Sequence, residues 1–215
     1  MKLLVNGEDV NNALPENATL ADALQAIEDN NVADSDVITS VLIDGEPLTA
    51  ERLSIWKGRS VDEFSEADVE IKPRSSFAAE ALQLIADRLL ESSSQRDQIV
   101  ELLGRGRSGE AVQMLPGYLQ TWDAVQQNLA SATRLMNIEI ESLVVFDNSD
   151  PSSPQERSVS EQIGLLAEQL GQVKSAIEAG DLVLLGDIID YEFSTLTDTW
   201  HNMLLQLAAQ FNPQE

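Results

Sequence analysis

The sequence predicts an α+β chain, a strand-rich first third followed by a helical remainder. Up to Pro73 the apolar residues come in short alternating runs, punctuated by the hairpin-closing pairs Asn6-Gly7 and Asp44-Gly45. From Phe77 onward they recur at three- and four-residue steps, the period of a helix. The longest such run, Asp181 to Phe211, carries a stripe of Leu182, Leu185, Ile189, Leu196, Met203 and Leu207, widened by Phe193 and Trp200. A stripe that broad must be enclosed by several neighbours. The expected domains are residues 1–73 and 77–212, joined by a hinge over residues 73–76.

Lys2-Leu3-Leu4-Val5 reads as a strand, turned by Asn6-Gly7 into a second over Glu8 to Leu14. Thr19 is placed as the N-cap of a helix whose apolar face is Leu20, Leu24 and Ile27. Val37 to Ile43 is β-branched and alternating, Glu46-Pro47-Leu48 extends it past the turn, and Leu53 to Trp56 is expected as a short strand. Ala67 to Lys72 alternates as an edge-capable strand would, and Pro73 ends it.

The first helix, from Phe77 to about Leu103, should bend or break at Ser92-Ser93-Ser94, and Gly104 to Gly109 should end it. The second carries Leu115, Leu119, Trp122, Leu129 and Met136, with Pro116-Gly117 expected to kink or delay it. Residues 147–156 are rich in Asp, Ser and Pro and read as a loop. A third helix is marked by Val159, Ile163, Leu166, Leu170, Val173 and Ile177, ends at Ala179-Gly180, and leads into the fourth. Four helices joined by tight, long and tight connections predict an antiparallel bundle; the alternative is a helical hairpin completed as a homodimer.

The element order hairpin, helix, strand, short strand, final strand in residues 1–73 resembles the ubiquitin-like β-grasp superfamily. Sulfur carriers and protein modifiers of that superfamily end in an exposed Gly-Gly, whereas here the last strand runs into Pro73-Arg74-Ser75-Ser76. Its iron–sulfur members need cysteines, which this chain lacks. The role the resemblance leaves is a protein-docking module. The last helix, through Asp181, Val183, Leu185, Asp187, Ile188, Tyr191, Glu192 and Trp200, resembles a segment of uncharacterised bacterial helical-bundle proteins, some associated with flagellar or secretion genes. A proline expected near Thr195–Thr197 is missing.

The formal net charge is -24, with lysine only at positions 2, 57, 72 and 174. So negative a surface repels phosphate backbones and argues against nucleic-acid or anionic-membrane partners. It suits a basic protein partner, although the dispersed acids are also what solvation at raised salt would select. With no cysteine, disulfides, thiolate metal sites and cysteine nucleophiles are excluded. No signal peptide or membrane-spanning run is legible, so a cytoplasmic location is expected.

Candidate sites are few. Glu192 falls beside the apolar stripe, where a carboxylate is either functional or paired at its edge. Asp198 and His201 share a helix face, but a single histidine cannot supply a di-iron bundle site, and no Gly-x-Ser-x-Gly elbow is present. Asp147 to Asp150 lacks the glycine and closing glutamate of a calcium loop. Gly104 to Gly109 lacks the Lys-Ser/Thr of a phosphate loop and reads as an inter-helix turn, yet Arg105 and Arg107 are a dense positive spot on an acidic chain. No catalytic, cofactor or metal residue is assigned. The reading is a non-catalytic adaptor or chaperone-like protein contacting a protein partner through Arg105, Arg107, Tyr191, Glu192 and Trp200. Two alternatives stand beside it: an acidic mimic of nucleic acid that binds a basic protein, and a small enzyme using Asp187, Asp190 and Glu192.

Overall fold

The computed structural model describes residues 1–10, 14–147 and 155–213, which form an α+β chain. It divides into two compact units, Met1–Phe77 and Ala78–Glu215. Among the described residues no helix is long and apolar enough to cross a membrane.

In the first unit β1 (Lys2–Val5) turns through Asn6 and Gly7, both at positive φ, into the two-residue β2 (Glu8–Asp9). Residues 11–13 of the longer second strand expected here lie outside the described residues. The Asn6 carboxamide then pairs with one residue of a distant strand: its Nδ2 donates to the Ile71 carbonyl at 3.1 Å and its Oδ1 accepts from the Ile71 N–H at 2.8 Å. This extends the parallel pairing of β1 with β5 (Glu66–Pro73) beyond the point where the main chain turns away.

α1 (Leu20–Asn31) opens in a full capping box, with Thr19 Oγ1 accepting from the Asp22 N–H at 3.3 Å and Asp22 accepting from the Thr19 N–H at 2.8 Å. Its Leu20, Ala23 and Ile27 pack with Ile43, Ala67, Val69 and Ile71 of the sheet. β3 (Asp36–Ile43) and β4 (Glu46–Pro47) flank the turn at Asp44-Gly45. Among the described residues the sheet order is β2-β1-β5-β3-β4, mixed, with β1 and β5 parallel.

Two expectations fail in this unit. Leu53 to Trp56 is not a strand but the end of helix α2 (Ala50–Trp56), because Thr49 accepts the Arg52 N–H at 3.3 Å and starts a helix before the apolar run is reached. β5 is the central strand rather than an edge. Its alternation puts Ala67, Val69 and Ile71 in the core and leaves Glu70 exposed, a one-sided pattern that a central strand shares when only one face is covered.

β5 is followed without an irregular connector by α3 (Arg74–Glu91), so residues 74–76 are the first turn of a helix instead of a hinge. Arg74 donates to the Ser35 carbonyl through its N–H at 2.8 Å and to the Asp36 carbonyl through Nε at 3.0 Å. The predicted break falls at Ser92, whose buried hydroxyl turns back to the Leu89 carbonyl at 2.6 Å before α4 (Ser93–Gly104) begins.

α5 (Ser108–Leu135) is continuous through Pro116-Gly117, so the helix is not delayed there. A Cβ at Gly117 would stand 3.0 Å from Gln95 Nε2 of α4. That same nitrogen donates to the Met114 carbonyl at 3.4 Å. The ends of α4 and α5 are closed alike. Gly106 and Asn137 adopt positive φ, and the next residues, Arg107 and Ile138, bond the Leu102 and Thr133 carbonyls at 2.9 Å. α6 (Val159–Ala179) ends in the same way at Gly180, with Asp181 bonded to Ala176 at 2.9 Å.

Part of the expected loop at 147–156 is sheet. β6 (Val144–Asp147) pairs antiparallel with β7 (Gln155–Ser158), and residues 148–154 lie outside the described residues. Val145 and Leu143 are buried in the helical core, which explains why this β-branched run leaves solvent as a hairpin.

The last helix has three parts: α7 (Leu182–Asp187), a π-helical turn (Ile188–Glu192) and α8 (Phe193–Phe211). The wider turn brings Leu185, Ile189, Phe193, Leu196 and Trp200 into one core. Trp122 of α5 meets Phe193 and Trp200 edge to face at 5.5 and 6.0 Å between ring centroids, and Tyr118 meets Phe193 at 5.9 Å. The Tyr118 hydroxyl and both indole nitrogens make no hydrogen bond among the described residues, while nearby Thr197 donates to the Phe193 carbonyl at 2.7 Å.

Two stability outcomes follow. Thr19→Ala should cost about 1 kcal/mol in urea titration at neutral pH. Asp22 is held below the ordinary aspartate value, first by the Thr19 backbone N–H and then by its hydroxyl. The cap is therefore complete above that range and weakens as pH falls through it, so wild type and variant should converge in acid. Burial raises the Tyr118 phenol, so its neutral form stabilises the fold below the ordinary tyrosine value, and that contribution is lost as pH climbs through the raised one. Tyr118→Phe should leave the melting temperature unchanged or higher at neutral pH and flatten its alkaline decline; a large drop at neutral pH would reveal a partner for the hydroxyl.

Candidate functional site

Of the residues singled out on sequence grounds, Trp200 is placed where no partner can reach it. It is 0% exposed at the centre of the aromatic cluster, because its indole closes the gap between α8 and α5. Tyr191 is 67% exposed and Glu192 is exposed beside it, both on the outer side of the π-helical turn. Arg105 and Arg107 are exposed in the turn between α4 and α5, each paired to an acid of its own helix: Arg105 to Glu101, and Arg107 Nε to Glu110 at 2.7 Å. The positive spot is thus locally neutralised. α4 packs against α7 and the π-helical turn, with Leu103 in contact range of Gly186.

A concavity of about 710 Å³ lies elsewhere, between the β6–β7 hairpin and the outer face of α8. One wall is a polar row on α8, namely Thr195, Asp198, Thr199, Asn202 and Gln206, which helical spacing places on one face. The other wall is Phe146 and Arg157 of the hairpin, and Val145, Met203 and Gln162 are its buried lining. Phe146 and Leu205 are 47% and 37% exposed, so the groove presents apolar surface to solvent. Asp187, Asp190 and Glu192 do not line it. Asp198 does, but its expected companion His201 does not, and among the described residues no group of acids and histidines could hold a metal ion.

The walls are held together by side-chain carboxamides. Gln206 Oε1 accepts from the Phe146 N–H and its Nε2 donates to the Phe146 carbonyl, both at 2.8 Å. One helical turn on, Gln210 Nε2 donates to the Val144 carbonyl at 3.0 Å. The outer edge of β6 is therefore satisfied by glutamines as a neighbouring strand would satisfy it. Gln162, 3% exposed in the first turn and a half of α6, lines the groove, and among the described residues its carboxamide makes no hydrogen bond. The arrangement offers a carboxylate, hydroxyls, amides and apolar area, the means of binding by shape and hydrogen bonding. Sequence reasoning missed Phe146, Gln162 and Gln206. The β-branched run before Phe146 and the helical spacing of Gln206 with Gln210 were the available signals.

Residues 80–203 match the family model of a domain of unknown function (DUF8042), and residues 1–73 match that of the TP0873 N-terminal domain. No curated protein and no solved structure matches the chain.

Gln206→Ala should remove both bonds to Phe146 and cost about 1–2 kcal/mol in denaturant titration. Hydrogen exchange locates the effect: the Phe146 amide should lose protection, while that of Val145, which faces β7, should change less.

Proposed function

The chain belongs to the family of that domain of unknown function, which covers residues 80–203, and from this premise we propose that it is a non-catalytic protein-interaction protein, an adaptor or chaperone-like module. The observation that carries the reading is the open groove between the hairpin and α8, where Phe146 and Leu205 expose apolar area beside a row of hydrogen-bonding side chains. Such surface is costly in a monomer and useful to a partner. Charge supports a basic partner: the chain carries a net charge of -24, and Arg96, Arg105, Arg107 and Lys174 each sit against an acid of their own helix.

We read the first unit as a β-grasp docking module. Its sheet order, its parallel central pair and α1 packed on one face support that reading. We read α3 with α4, α5, α6, and α7 with α8 as the four rods of an antiparallel bundle, supported by the tight turns at Gly106 and Gly180.

Wild type and Phe146→Ser should be immobilised and exposed to native lysate at low and high salt, with circular dichroism to check folding. A stoichiometric partner should be retained by wild type and depleted at least tenfold on the variant, the loss of about 1.4 kcal/mol or more expected of a buried aromatic anchor. Equal retention by a folded Phe146→Ser would remove the groove from the interaction.

A further inference from the structure

We propose that Gln162 captures a main-chain peptide group of an extended, basic partner segment laid into the groove between the hairpin and α8. This rests on the preceding reading and specifies its partner. A primary carboxamide has one acceptor and two donor hydrogens, which match the N–H and C=O of one residue in an extended chain. This protein uses that match twice. Asn6 takes both groups of Ile71, at 2.8 and 3.1 Å, and Gln206 takes both groups of Phe146, at 2.8 Å each. Gln162 is the third carboxamide in a comparable place. It is 3% exposed and lines the groove, and among the described residues it has no hydrogen-bond partner. The Gln162 amide is unpaired but not sealed from solvent, so it is open to a ligand in the groove that matches its donors and acceptor.

The rest of the groove defines the ligand. Val145 and Met203 are apolar lining beside Gln162, which suits one aliphatic side chain of the bound segment. Asp198 stands exposed on the α8 wall and suits a lysine or arginine. Alternating side chains of an extended segment would reach the floor and the rim in turn. The occupant is therefore an extended segment of alternating basic and aliphatic residues. The net charge of -24 favours its approach and excludes an acidic counterpart.

The test uses the full chain and a fluorescein-labelled octapeptide of alternating lysine and valine, followed by anisotropy, with the Gln162 side-chain amide observed by nitrogen-15 NMR. Saturable binding should shift the Gln162 amide pair. Gln162→Leu should weaken binding about tenfold, the loss of one paired peptide group. Asp198→Asn, at an exposed position, should also weaken it, and the glutamate–valine octapeptide should not bind. A lysine–valine peptide N-methylated at alternate backbone amides should lose saturable binding, which diffuse charge attraction would not. Unchanged affinity in folded Gln162→Leu, or for the N-methylated peptide, overturns the inference. If the octapeptide fails to bind wild type while Phe146→Ser still strips a partner from lysate, this inference falls and the groove reading stands. If Phe146→Ser changes nothing either, both fall.

Discussion

The architecture of the helical unit depends on enclosing its last helix. Phe193, Leu196, Trp200, Met203, Leu204 and Ala208 are all buried, and helical spacing spreads them over a broad sector of α8. A helix with so wide an apolar surface is stable only when several neighbours cover it. α5 meets it through Tyr118 and Trp122, α6 packs along it, and the hairpin covers a further sector through Val145. The π-helical turn serves the same requirement. Its extra residue per turn resets the angle between Leu185 and Phe193, so that α7 and α8, on either side of it, face one core.

Much of this was legible in the residues. The change of period after Pro73, the paired turns at Asn6-Gly7 and Asp44-Gly45, the Thr19 cap and the breaks at Ser92, Gly106 and Gly180 are local signals with local causes. The failures have causes too. At Leu53 to Trp56 a four-residue apolar run has no period of its own, and the Thr49 cap upstream decided for helix. At Val144 to Phe146 the β-branched run was masked by the Pro- and Ser-rich stretch beside it. Pro116 is accommodated inside a continuous α5, which the local rule for proline does not anticipate.

The site was less legible than the fold. Trp200 looked like a contact residue because a tryptophan next to a histidine draws attention, but its depth depends on where α5 lies, which is tertiary information. Gln162 and Gln206 are ordinary helix residues by composition. What distinguishes them is which backbone they face, and glutamine carries no pattern in sequence that announces a strand across from it. The groove arises from the meeting of a hairpin and a helix 60 residues apart in the chain, as the Phe146–Gln206 pairing records.

The closure of the β6 edge by Gln206 and Gln210 has a consequence for time scale. An edge sealed by a neighbouring strand opens only when a whole ladder separates, a cooperative event as slow as local unfolding. An edge sealed by side chains opens when the bonds of Gln206 and Gln210 break and those side chains turn, without a ladder separating. Access to this strand thus turns on two side chains and not on the separation of a strand ladder, and the hairpin can stay in place while its outer face opens.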